Sequence, residues 1–169
     1  MGSSTEPRAS RPHMPGYGVL AADAGTGLLP WSWAVDRLRN SHDYWVATVW
    51  PDGRPHLMPV WAIWAEPDTL WFSSSLRSRK IRNIAAGPDV SVSTEDARNP
   101  VVLHGNAEVI TETTAIQGFL DEMNAKYDTG YPIEFLDPEK NASVRVRPKW
   151  AFGVAEDDFE GSPTRWEFK

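Results

Sequence analysis

Apolar and polar positions along this chain alternate with period two in several short stretches and with a period near 3.6 in a few others. Turn residues separate them. Pro30 opens a short helix with Trp31, Val35 and Leu38 on one face, and Asn40 and Ser41 end it. Tyr44 to Trp50 reads as a strand, Pro51-Asp52-Gly53-Arg54 as a turn, and Pro55 to Ala65 as the returning strand of a hairpin. Pro59 lies inside that strand without an N–H, so it marks a bulge or an edge where something other than a strand meets the backbone. Thr69 to Ser73 is a third strand. A helix follows from Ser78 to Ala86, with Ile81 and Ile84 on one face and Gly87-Pro88 as its stop. Val90 to Thr94 and Pro100 to Ile110 are strands, the second with a kink expected at Gly105. Thr111 is the expected cap of a helix whose core face is Ile116, Phe119, Leu120, Met123 and Tyr127. Ser143 to Ala155 is the last strand, bent at Pro148.

About six strands with short turns and a few helices predict a mainly β protein with helical decoration, an antiparallel barrel or sandwich. Residues 1–27 read as a flexible N-terminal arm, 28–155 as one barrel domain, and 156–169 as a C-terminal tail packing on it. The chain has 169 residues and no cysteine, which excludes disulfides, thiolate metal sites and a cysteine nucleophile. There is no long apolar run and no secretory signal pattern, so a soluble cytoplasmic protein is expected, with no membrane partner. The net charge of −6 argues against nucleic acid.

Charge distribution says more than its sum. From Thr69 to Pro88 there is no acid, and Arg77, Arg79, Lys80 and Arg82 lie within six residues. Trp71-Phe72-Ser73-Ser74-Ser75 leads through a hydroxyl-rich loop into that basic helix start. Hydroxyls, cations and a helix N-terminus together suit a phosphate. Cations in a first helical turn oppose the helix dipole, a local conflict that an anion would relieve. His56 and His104 lie on strands and read as structural, and no metal-ligand spacing is present. Gly16-Tyr17-Gly18 lacks the strand and helix that a dinucleotide fingerprint needs.

Gly53-Arg54-Pro55-His56-Leu57-Met58-Pro59-Val60-Trp61, then Trp71-Phe72-Ser73-Ser74 and Ser78-Arg79-Lys80-Ile81-Arg82-Asn83-Ile84, resembles the pyridoxamine 5′-phosphate oxidase-like superfamily. More narrowly it resembles the flavin and deazaflavin (F-420) oxidoreductases of actinobacteria. The resemblance implies a split β-barrel of the FMN-binding type, homodimeric, with cofactors at the dimer interface. It implies a phosphate held by Ser73, Ser74, Arg79 and Lys80, with Ser75 and Asn83 beside them, and a ring system along His56, Met58, Pro59, Val60 and Trp61. It also implies that no dedicated catalytic acid or base is needed, because the cofactor carries the hydride. Trp61 stands where vitamin B6 oxidases have a lysine, and the chain ends Arg165-Trp166-Glu167-Phe168-Lys169 without their arginine-rich signature. Both departures count against vitamin B6 oxidation. Coenzyme F-420 is favoured over FMN because Arg77 and Arg82 would meet its extra negative charge and because of the resemblance to the actinobacterial branch, with an FMN-dependent oxidase or reductase of the same fold as the alternative. The expected acceptor is an unsaturated or quinone-like small molecule, with Trp45 and Trp150 as candidate pocket walls. A protein that only binds a flavin or haem is the alternative of another class.

Overall fold

The computed structural model describes residues 6–169. Along them run β1 (Arg8–Ser10), α1 (Trp31–Asn40), β2 (Asp43–Val49), β3 (Pro55–Ala65), β4 (Thr69–Ser75), α2 (Arg79–Ala86), β5 (Asp89–Thr94), β6 (Val101–Ile110), α3 (Thr113–Tyr127), β7 (Asn141–Gly153) and β8 (Thr164–Glu167). Single 3-10 turns lie at Ile133–Leu136 and Glu156–Asp158.

The strands pair antiparallel in the order β1-β8-β7-β4-β3-β2-β5-β6, and β6 also pairs β7, so six of them close a barrel. Alternation sends Tyr44, Val46, Leu70, Phe72, Val90, Val92, Val101, Leu103, Val144 and Val146 inward to one core. A second core lies outside the barrel wall. There Ile63 and Trp71, on the outer face of β3 and β4, meet Ile116, Phe119, Leu120 and Met123 of α3. Mainly β structure with a split barrel is thus what the chain forms.

β3 and β4 pair only from Ala62↔Phe72 to Ala65↔Thr69. Before Ala62, β3 pairs with β2 alone, and after Phe72, β4 pairs with β7 alone. The two strands part there. Pro59 lies in the unpaired stretch opposite Trp45 with no register shift, so it belongs to an edge, not a bulge. Gly105 is required at the β6–β7 register shift, because a Cβ there would stand 2.1 Å from the Arg147 carbonyl oxygen.

Several expected boundaries move. Glu112, not Thr111, caps α3: its carboxylate accepts from the amides of Thr114 and Ala115, which two oxygens do better than one hydroxyl. β4 continues to Ser75 and β7 starts at Asn141, since the two pair as far as Ser75↔Asn141. Residues 1–5 of the expected arm lie outside the described residues. Within the rest, β1 pairs with β8. The Arg11 guanidinium donates to the carbonyls of Pro163 (2.7 Å), Gly161 (2.6 Å), Ala21 and Ala24 (both 3.1 Å). Hydrogen bonding from one side chain thus anchors a segment whose Gly, Pro and Ser content reads as flexible. The expected tail contributes β8, whose Trp166 is fully buried.

Candidate functional site

The β4–α2 corner is built by short-range chemistry. Ser78 caps α2, its Oγ accepting from the Ile81 amide. Ser74 Oγ donates to Ser78 Oγ at 3.0 Å and accepts from Lys80 Nζ at 3.2 Å. This chain of hydroxyls brings the Lys80 ammonium onto the strand end. The amides of Arg79 and Lys80 belong to a first turn, where a helix has no acceptors of its own. Ser73 is half-buried beside Ser74, and Ser75 is exposed with its Oγ accepting from the Arg77 amide.

None of Arg77, Arg79, Lys80 and Arg82 forms an ion pair among the described residues. Burial pushes the Lys80 ammonium below the usual lysine range. Desolvation, then the neighbouring Arg82 and Arg54, does the same to Arg79. Arg54 and Trp50 also belong here, although no local motif singles them out. The guanidiniums of Arg79 and Arg54 lie 3.6 and 4.3 Å from the Trp50 ring centre. The β2–β3 turn therefore brings a fifth cation to the corner, one already bridged to Asp52 at 2.9 Å.

Other expected residues fall in different places. Asn83 is fully buried and donates from Nδ2 to Thr48 Oγ1 at 3.0 Å, tying α2 to β2 beneath the corner. His56 stands opposite Thr48 and is half-buried. Along the parted stretch of β3, Met58 and Val60 share a face with Val46 and Tyr44, while Pro59 and Trp61 share the opposite face with Trp45 and Asp43. The residues expected to follow one ring therefore belong to two faces of one strand. Trp45 is 42% exposed on the outer face of β2, in a groove of about 290 Å³ with Leu57 and Val102. Trp150 lies in a separate pocket across Val102, stacked on His104 at 5.3 Å.

A polar knot closes the end of α3. Lys126 Nζ donates to Tyr44 Oη at 2.6 Å and to the Ala62 carbonyl at 2.9 Å. Tyr127 Oη accepts from the Ala62 amide and has the carbonyls of His42 (2.7 Å) and Ala62 (3.0 Å) as alternative acceptors for its one proton, and its ring stacks on Trp61 at 4.3 Å. Burial pushes Lys126 down to about 8 and Tyr127 up to about 12. Helical spacing places Tyr127 on the core face, but no local pattern distinguishes Lys126 from a solvated lysine. Among the described residues no metal-binding cluster occurs and no helix is long and apolar enough to cross a membrane.

A family model described as pyridoxamine 5′-phosphate oxidase matches residues 34–155. Among solved structures, the chain is similar to an F420 reductase at 26% identity, over 69% of this chain and 93% of that one, with a TM-score of 0.57. It shares its fold with a conserved hypothetical protein from Mycobacterium tuberculosis at 22% identity (82% and 85% covered, TM-score 0.63). It also shares it with a NimC/NimA family protein from Clostridium acetobutylicum at 16% identity (81% and 91% covered, TM-score 0.64). No curated protein matches.

Proposed function

Since this chain belongs to the pyridoxamine 5′-phosphate oxidase family, we propose that it is a cofactor-dependent oxidoreductase whose β4–α2 corner grips the phosphate of a flavin-type cofactor. The observation that carries this reading is the group of four cations at one strand-to-helix corner with no ion-pair partner among the described residues. Like charges so close repel one another, and an anion reverses the sign of that interaction. Ser73, Ser74, Ser75, Arg79 and Lys80 hold the phosphate. Asn83 keeps α2 seated on β2. The parted stretch of β3, from His56 to Trp61, offers backbone groups that no neighbouring strand uses on the β4 side, which orients a ring edge.

The favoured cofactor is the deazaflavin F-420. Arg77, Arg82 and Arg54 add positive charge beyond what one phosphate needs, and the F420 reductase noted above is consistent with this choice. Bound in reduced form, that cofactor supplies a hydride to an unsaturated or quinone-like acceptor. The chain's part is placement and exclusion of water. The open outer face at Trp45, Val49 and Leu57 is completed by a second copy of the chain.

Side-by-side titration with F-420 and FMN tests the reading. Arg79→Ala with Lys80→Ala is expected to weaken binding at least tenfold, about 1.4 kcal/mol. Unchanged affinity with an intact fold overturns the corner assignment. Tighter binding of FMN transfers the reading to an FMN enzyme of the same fold. Stopped-flow oxidation of the reduced cofactor across an acceptor panel separates an enzyme from a protein that only binds.

A further inference from the structure

The outer face of β6, β7 and β8 carries a second pocket, of about 390 Å³, which includes the candidate acceptor wall Trp150 but none of the residues assigned to the cofactor. Its floor is Val102, Phe152 and Trp150, all outward residues of paired strands. One wall is His13 and Met14 from the N-terminal segment. That wall is held in place, because Arg11 bonds the segment to four backbone carbonyls. Arg165 stands at the rim. Its Nε bonds Glu167 at 3.2 Å and its guanidinium lies 4.5 Å from the Trp150 ring centre. The Glu167 contact is an ion pair through Nε alone; the two terminal nitrogens make no hydrogen bond among the described residues, and no acid lines the pocket itself. The groove at Trp45 has neither this wall nor a cation among its lining residues.

We propose that this pocket binds a flat aromatic carboxylate, with the ring on Val102, Phe152 and Met14 and the carboxylate on the Arg165 fork. The volume suits a ligand of two or three rings. A half-buried guanidinium whose outer edge faces the pocket, with planar apolar surface beside it, selects a planar acid over a neutral ring. The site is separate from the α2 corner, so it stands or falls independently of the cofactor.

Calorimetric titration of the full chain, without cofactor, with 2-naphthoate and with 2-naphthamide tests it. Saturable binding of one naphthoate per chain is expected, at least tenfold tighter than the amide. Arg165→Gln should remove that preference, bringing naphthoate affinity down to that of the amide. Met14→Trp, which fills the pocket from its N-terminal wall, should weaken both ligands. Absence of saturable naphthoate binding, equal affinity for the two ligands, or indifference to Arg165→Gln with the fold intact each overturns the proposal.

Discussion

Two outer faces of one barrel meet different fates. On β3 and β4, Ile63 and Trp71 point outward and are buried at 3% and 7% exposure under α3. On β2 and β3 nearer the hairpin turn, Trp45 and Leu57 also point outward, and they remain 42% and 55% exposed. The strands alternate in the same way in both places. What differs is whether the chain returns with a helix. The first face is completed within the fold. The second stays open in the single chain, and it is the face on which the proposed second copy would rest.

That contrast is sharpest under truncation. Leu120→Ala, on the buried face of α3, should cost about 2–5 kcal/mol in urea denaturation, because it leaves a cavity in a packed cluster. Leu57→Ala should change the unfolding of the isolated chain by no more than about 0.5 kcal/mol. If both cost the same, the two faces are not different in kind. Trp45→Glu with Leu57→Glu should abolish self-association in sedimentation velocity and leave the barrel's circular dichroism unchanged. A wild-type chain that sediments as a monomer at all concentrations would break the comparison from the other side.

Smaller effects lie where α3 ends and begins. Lys126 is held near 8 by burial, below its unfolded value of about 10.4. Between those values the unfolded chain binds the extra proton, so stability should rise with pH across that window. Lys126→Met should flatten this slope. It should not lower stability at neutral pH, since Tyr44 Oη still donates to the Leu38 carbonyl and the Ala62 carbonyl still has the Tyr127 hydroxyl as a donor within reach. At the other end, amide hydrogen bonds hold the Glu112 carboxyl below the usual carboxylate range. Its contribution is present above the unfolded pKa and is lost as pH falls through the folded one. Glu112→Gln should therefore give the smallest change in urea midpoint, visible at neutral pH and absent in acid.

Much of the fold and half of the corner are legible in the order of residues. Alternation locates β2, β3, β5 and β6 within a residue or two. The Ser-rich strand end running into Arg79 and Lys80 marks the corner where hydroxyls and positive charge gather. The cap of α3 is not legible in the same way: Thr111 and Glu112 both carry capping side chains, and only backbone geometry selects Glu112. Arg54, Lys126 and Arg11 are not legible either, since each takes its meaning from residues far away in sequence.

The sequence by itself determined which residues face inward and which stretch concentrates positive charge, because period and local composition are properties of neighbours along the chain. Only the tertiary structure decided that β3 and β4 part beside that charge, and which apolar face α3 covers. It alone decided that a Gly- and Pro-rich leader is pinned by one arginine. Those outcomes depend on strand pairing and long-range hydrogen bonds, which no local pattern encodes.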